Sequence, residues 1–207
     1  DSATMTEVQS SGEGATLHVK DPVVFDSPAG GTALMFCSHP FGWSSSNTGL
    51  AKRGEGEGEF VLQTRSVLER GATWDVACAR VTDRLAVPQV GLLAGLPPLS
   101  LYFYDGAECL RSLDENAKAV SRPRGYSCEE LGGLAWGWDA EFPKMQRLSL
   151  DFPLFTSPHG TGCSRYVSTL KTQDGIMATW QQSQPDRSQP LVGNFLDSAA
   201  VESQLAG

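Results

Sequence analysis

Cysteine and histidine are the residues of this chain best suited to chemistry. Cys37 and His39 are separated by one residue, and His159 and Cys163 by three. Two thiolates and two imidazoles could complete a tetrahedral zinc site, and copper accepts the same ligand types. The two pairs are far apart in sequence, and no motif brings them together. We therefore predict neither a metal site nor a cofactor.

Motifs for nucleophilic or acid–base catalysis are weak. The serines of Ser44–Ser46 are not set in the glycine-flanked turn that exposes a hydrolase nucleophile. The alternating glutamates of Gly54–Glu59 lack the spacing of a calcium loop, and the glycines there do not form a phosphate-binding loop. We name no catalytic residue and favour a binding protein, with an enzyme of unrecognised site as an alternative.

The cysteine pattern bears on the redox compartment. Five cysteines without a C-x-x-C pair argue against a zinc ribbon or a redox motif. Cys109 and Cys128 are the disulfide candidates, because both flank an irregular polar segment. A disulfide favours an extracytoplasmic location, either secreted or in an organelle lumen. The alternative is five small buried apolar side chains in a reducing compartment.

The overall charge restricts the partners. Sixteen Lys and Arg against 24 Asp and Glu give a formal net charge of −8. Phosphate backbones are repelled by such a protein, and the sequence contains no cluster of Lys and Arg that reverses the sign locally. We expect no nucleic-acid partner.

A charge-free stretch runs from Leu85 to Tyr104. Three prolines interrupt it, so a membrane-spanning helix is disfavoured. We predict that its loop, Val87–Leu99, offers apolar side chains to a protein partner, with packing against the rest of the domain as the alternative. The predicted partner-binding residues of this loop are Leu92, Leu93, Leu96 and Pro97.

Trp136 and Trp138 are two further partner-binding candidates. They stand at positions i and i+2 of the glycine-rich run Leu131–Trp138. In a strand their indoles share one face, and indole offers a wide apolar surface with a polar edge. Such a pair suits a protein or a sugar, and the alternative is core packing.

Short alternating runs between turn signals indicate the fold class. They predict an all-β protein, an antiparallel barrel or sandwich with long ordered loops and little helix. Asp174-Gly175 predicts a hairpin closed by a type I′ turn. The predicted strands are Ala15–Lys20, Ala33–His39, Glu59–Glu69, Trp74–Thr82, Leu99–Tyr104, Gln146–Phe155, Cys163–Thr172 and Ile176–Gln182.

The predicted organisation is a flexible N-terminal tail over 1–14, a single β-rich domain over 15–185 and a C-terminal extension over 186–207. We expect a non-catalytic binding or accessory domain that docks onto a larger assembly through apolar loops. A membrane-associated assembly and peripheral membrane contact stay open. The alternative is a small-ligand or carbohydrate-binding β-barrel.

Overall fold

The computed structural model describes residues 18–39, 46–56, 58–107, 111–112, 126–127, 130–160, 162–186 and 188–206. Strands dominate these residues. They are β1 (His18–Asp26), β2 (Thr32–His39), β3 (Asn47–Arg53), β4 (Val61–Leu68), β5 (Cys78–Ala86), β6 (Leu99–Ala107), β7 (Arg111–Ser112), β8 (Tyr126–Ser127), β9 (Leu131–Trp138), β10 (Gln146–Arg147), β11 (Ser164–Lys171), β12 (Gly175–Gln182) and β13 (Leu191–Asp197). The helical elements are the 3₁₀ turns Gly91–Leu93 and Asp139–Glu141 and the α-helix α1 (Ser198–Leu205).

These strands form three larger antiparallel sheets and one two-stranded ladder. Sheet 1 has the order β1-β2-β3-β4, sheet 2 the order β10-β9-β6-β5, and sheet 3 the order β11-β12-β13, while β7 pairs with β8. The prediction of an all-β protein with little helix is confirmed. Within the described ranges no sheet closes into a barrel, so the fold is sandwich-like.

The main core lies between sheet 1 and sheet 2. Met35 and Leu50 from sheet 1 pack in one cluster with Val81, Tyr102 and Tyr104 from sheet 2. Alternate residues of each strand point into this layer, as the period-2 pattern requires. Sheet 2 therefore has one face in the core, and its opposite face carries the alternate residues of the same strands.

The hairpin predicted at Asp174-Gly175 is confirmed, and its turn differs from the prediction. Lys171 pairs with Ile176, and the Thr172 amide donates to the Gly175 carbonyl at 2.8 Å. The turn residues are Gln173 and Asp174, and Asp174 does not have the positive φ of a type I′ turn. Gly175 instead opens β12, where a side chain would meet the Leu196 carbonyl.

Residues after 185, expected as a C-terminal extension, supply β13 and α1. β13 pairs with β12 from Gly175 opposite Asp197 to Gln181 opposite Leu191. The Asp197 carboxylate then accepts from the Ala200 amide at 2.7 Å and caps α1. This segment therefore completes sheet 3.

The strand predicted over Gln146–Phe155 is mostly wrong. Only Gln146 and Arg147 pair as β10, and the chain then turns irregular until Phe155 forms a single bridge with Gly132. Other predictions concern residues outside the described ranges: the tail over 1–14 and the disulfide candidates Cys109 and Cys128. No helix in the described ranges is long and apolar enough to cross a bilayer.

Candidate functional site

The charge-free loop joins β5 to β6 and folds back on itself. The Val87 amide donates to the Leu99 carbonyl at 3.0 Å, and the Gln89 side chain donates to the Leu96 carbonyl at 2.9 Å. Leu92 is 69% exposed, Leu96 and Pro97 are also exposed, and Leu93 is half-buried. The ordered backbone thus holds apolar side chains in water.

Trp136 and Trp138 share one face of β9, as their spacing predicted. Their ring centroids are 5.2 Å apart, the rings stand at 86°, and both side chains are half-buried. Trp138 pairs with Leu99, and the Asp139 amide donates to the Pro98 carbonyl at 2.9 Å. The structure therefore brings the tryptophan pair beside the end of the apolar loop.

A third apolar element, missed from the sequence, follows β10. Leu148 donates its amide to the Leu134 carbonyl and Leu154 donates to the Gly132 carbonyl, both at 2.8 Å, so this segment flanks β9. Its large side chains are exposed, and Phe152 is 79% exposed. The exposed side chains of the segment are Leu148, Leu150, Phe152 and Leu154.

Ser149 explains why these side chains point outward. Its hydroxyl accepts from the Leu134 amide at 2.9 Å, and its carbonyl accepts from the Trp74 indole at 3.0 Å. The buried serine takes the inward position, which leaves the leucines on either side exposed. We call the whole surface the docking face, and define it by Leu92, Leu96, Pro97, Trp136, Trp138, Leu148, Leu150, Phe152 and Leu154.

A separate cluster of charged side chains surrounds Arg80, on the face of β5 opposite the core residues Ala79 and Val81. The guanidinium contacts Asp21 at 2.8 Å, Asp105 at 2.7 Å and Glu130 at 2.7 Å. Arg80, Asp105 and Glu130 are all buried. The cluster could have been suspected from Arg80, a charge inside an apolar alternating run, and from Asp105, which directly follows another such run.

Arg165 and Tyr166 from β11 complete this cluster. Arg165 forms an ion pair with Glu130, and the Tyr166 amide donates to Asp105. The Tyr166 ring lies 4.5 Å from the Arg80 guanidinium carbon and 5.1 Å from that of Arg165. Cations stacked on an aromatic ring are favourable, and more so when desolvated.

Backbone strain concentrates at the edge of the cluster. Asp21 and Tyr166 have φ angles of 51° and 55°, in the left-handed region that non-glycine residues rarely adopt. Each occurs where the register of its strand breaks. Both line a cavity of about 190 Å³ together with Thr82 and Val167. Strain and bulges of this kind are frequent at functional sites.

Burial shifts the ionisation of the cluster. Loss of solvent raises the pKa of Asp105 to about 7, although Arg80 opposes the shift. Burial also opposes the charge on Arg80, but Asp105 and Glu130 outweigh it and raise the pKa of the guanidinium. The side chain of Arg80 therefore stays charged, and Asp105 takes up a proton as the pH falls through about 7.

Two buried thiols adjoin this cluster. Cys37 of β2 and Cys78 of β5 are both buried, and the Cys78 thiol donates to the Asp105 carbonyl at 3.8 Å. The Ser46 hydroxyl donates to the Cys78 sulfur at 3.3 Å. Sequence spacing gave no hint of this pair, because β2 and β5 belong to different sheets.

A cleft of about 320 Å³ lies between the start of the apolar loop, the β11–β12 turn and α1. It has apolar and polar walls. Its lining includes Pro88, Val90, Lys171, Ile176, Val201 and Glu202. Within the described ranges, which leave out the His39 side chain, no three His, Cys, Asp or Glu residues are placed to hold a metal ion.

No protein-family model matches the chain, and no curated protein is significantly similar to it. The functional interpretation therefore depends on the geometry of the docking face and of the Arg80 cluster.

Proposed function

We propose that this protein is a non-catalytic accessory protein that binds a protein partner through the docking face. The observation that carries the proposal is that the three apolar elements lie next to one another along β9. The apolar loop meets Trp138 at one end of the strand, and the segment from Leu148 to Leu154 flanks it as far as Gly132. Contiguous exposed apolar surface commonly marks an interaction site.

The chemistry of the partner follows from the charge of the chain. A net charge of −8 repels the anionic headgroups of a cytoplasmic leaflet and attracts basic side chains. We expect a protein that presents an apolar patch bordered by Lys and Arg. The two indoles suit the centre of such an interface, where Trp is enriched among the residues that contribute most to binding.

The arrangement of the indoles also bears on the carbohydrate alternative. The rings of Trp136 and Trp138 are nearly perpendicular. A flat stacking platform for a sugar needs coplanar indoles, whereas an apolar protein side chain can fill the angle between them. This geometry supports a protein partner.

The test compares two double variants of the tagged full-length chain. Leu92→Asp/Phe152→Asp places two charges on the docking face, while Val24→Asp/Val61→Asp changes two residues of sheet 1 that are 58% and 57% exposed. We expect the first variant to lose at least about tenfold in affinity for the partner, because burying an unpaired carboxylate costs more than 1.4 kcal/mol. The second variant should bind as the unchanged protein does.

The partner is copurified with the unchanged chain, and its affinity for each variant is then measured by titration. Hydrogen exchange is measured on the free chain and on the complex. Protection of residues 87–99 and 148–154 in the complex supports the proposal. Equal binding by both variants, with both folded by circular dichroism, contradicts it. Flotation of the unchanged protein with phosphatidylcholine vesicles, abolished only by the docking-face variant, would assign the face to a membrane instead.

A further inference from the structure

β13 is an outer strand of sheet 3, and its hydrogen bonds show which backbone groups face the open side. The Gln182 amide donates to the Pro190 carbonyl at 3.1 Å, and the Ser198 amide donates to the Asp174 carbonyl at 2.9 Å. The register between these two bonds is continuous, so the even-numbered residues of β13 bond to β12. The N–H and C=O groups of the odd-numbered residues from 191 to 197 therefore point to the open side.

The Phe195 amide agrees with this orientation. It donates to the side-chain oxygen of Asn194 at 3.0 Å and not to β12. An amide that is bonded only to its own neighbour can exchange that bond for one to an added strand.

The opposite edge of sheet 3 is closed by side chains of sheet 2. Asp83 accepts from the Thr169 amide, and Asp105 accepts from the Tyr166 amide at 3.1 Å. These carboxylates occupy donors that a further strand beside β11 would need. Among the described strands of sheet 3, β13 is therefore the one that can accept a new neighbour. Because one edge is open, pairing between copies ends after two chains and closes as a dimer.

β13 also lacks the devices that protect edge strands, which include charged side chains and bulges. It has no charged residue from Leu191 to Leu196, and its pairing with β12 contains no bulge. Leu191 and Phe195 are 68% and 48% exposed. The outer strands of sheet 1 differ, because β1 and β4 have broken registers and carry Lys20 and Arg65.

We propose that β13 pairs antiparallel with β13 of a second copy of this chain, about a twofold axis at Gly193. The two copies of sheet 3 then form one continuous sheet. In this register Gly193 lies opposite Gly193 of the second copy, and Leu191 lies opposite Phe195. Each of these pairs exchanges two backbone hydrogen bonds. The proposal does not depend on the docking face.

The identity of the occupant follows from the symmetry of the residues around Gly193. Leu191 and Phe195 stand two positions before and after it, so a twofold axis brings two leucines and two phenylalanines together on one face. Cross-strand pairs of aromatic and aliphatic side chains stabilise a sheet. An axis at Asn194 would instead set Leu191 opposite the Asp197 carboxylate. β13 is thus complementary to itself in the first register.

The first experiment measures the mass of the unchanged full-length chain by sedimentation equilibrium, from the low to the high micromolar range. We expect the mass to rise from that of one chain toward that of two. The dissociation constant should fall as NaCl is added, because two chains of net charge −8 repel each other and salt screens the repulsion. A single-chain mass at every concentration overturns the proposal.

The second experiment tests the register with two double variants. Leu191→Lys/Phe195→Lys sets like charges opposite each other across the axis, and should raise the dissociation constant at least about tenfold. Leu191→Lys/Phe195→Glu sets opposite charges there instead, and should dimerise about tenfold more tightly than the first variant. Val24→Lys/Leu170→Lys, at positions 58% and 63% exposed, is the matched control and should dimerise as the unchanged chain does. Equal dissociation constants for the first two variants overturn the register.

A variant of the docking face separates the two surfaces. Leu92→Asp/Phe152→Asp should dimerise normally. Dimerisation that this variant loses and Leu191→Lys/Phe195→Lys keeps would assign the contact to the docking face and overturn the proposal.

Residue-resolved amide hydrogen exchange needs no variant. As the concentration of the unchanged chain rises, exchange should slow at the amides of Gly193 and Phe195, which bond to the second copy. It should stay constant at Val192 and Asn194, which already bond to β12. Equal slowing at all four amides, or none, overturns the edge-to-edge pairing.

Discussion

Arg80 is surrounded by charged and aromatic side chains. Its guanidinium contacts three carboxylates, from β1, β6 and the residue before β9, and lies against the Tyr166 ring. Removing charges from water is costly, and their mutual attraction repays that cost only when the geometry is complete. We therefore expect the cluster to favour one arrangement of the strands that meet there.

Substitution of Arg80 should reveal the cost of burying carboxylates without a paired cation. Arg80→Ala leaves Asp105 and Glu130 buried without their shared cation, so we expect the free energy of unfolding to fall by about 3–5 kcal/mol. Arg80→Ala/Asp105→Asn should recover part of the loss, because one buried charge is removed. Urea denaturation of the single and double variants measures the coupling. Arg65→Ala, at an exposed position of β4, is the control and should change stability by less than about 0.5 kcal/mol. If the losses of unfolding free energy caused by Arg80→Ala and by Asp105→Asn simply add in the double variant, the coupling between the two side chains is contradicted.

The raised pKa of Asp105 predicts how the stability of the protein responds to pH. Folding raises its pKa from 3.8 to about 7, so over that interval the folded chain holds a proton that the unfolded chain has released. The contribution of this proton to stability is complete below about pH 4 and is lost as the pH rises toward 7. Asp105→Asn removes the titration, and its unfolding free energy should fall less steeply than that of the unchanged protein between pH 4 and 7.

Urea midpoints measured across that interval test the slope. Asp151→Asn, at an exposed position, provides the control and should run parallel to the unchanged protein. Parallel curves for Asp105→Asn as well would show that the carboxyl does not titrate in this window.

At the scale of elements, the apolar loop and α1 support each other. The loop reverses direction through the 3₁₀ turn Gly91–Leu93, and Gly91 has a φ of 54°. A Cβ atom placed there would lie 2.0 Å from the Leu205 carbonyl oxygen. Glycine is thus required both by the turn and by the close approach of the helix end.

Substitution of this glycine should loosen the contact. Gly91→Ala must shift the turn or the end of α1, and we expect stability to fall by about 1–3 kcal/mol with faster hydrogen exchange in residues 198–205. Gly95→Ala is the matched control in the same loop, because its Cβ would meet no atom within 4 Å. A similar loss for both variants would indicate that the loop alone, not its contact with α1, is sensitive.

Sequence patterns predicted correctly those features that depend only on residues close together in the chain. The alternation around Asp174-Gly175 predicted the hairpin, and the i, i+2 spacing predicted the shared face of Trp136 and Trp138. The strand predicted over Gln146–Phe155 was mostly wrong, because alternation shows which side chains could share a face and not whether the backbone pairs with another strand. Beyond Arg147 the segment is attached to β9 by separate hydrogen bonds, such as that from the Leu134 amide to the Ser149 hydroxyl.

The Arg80 cluster could not be predicted for a related reason. Its members come from strands distant in sequence, so their meeting is a property of the tertiary fold. The same holds for Cys37 and Cys78, whose strands lie in sheet 1 and sheet 2. Arg80 is a charge inside an apolar run, but nothing in the sequence indicates which residues pair with it.

At the scale of the whole molecule, sheet 2 organises the fold. One face packs its tyrosines into the core against sheet 1. Its other face contacts β11 through Asp83 and Asp105, which accept hydrogen bonds from Thr169 and Tyr166. The tryptophans lie farther along that second face, beside the apolar loop. The Arg80 cluster and the proposed docking face therefore lie at different places along the same sheet.

The position of α1 has a consequence for anything joined to it. Leu205 lies against Gly91, so polypeptide continuing from this helix starts next to Leu92 and its neighbours. A tethered peptide has an effective concentration on the order of millimolar at sites within its reach. An apolar sequence attached there would compete with the proposed partner, whereas a charged, flexible one would leave the face accessible.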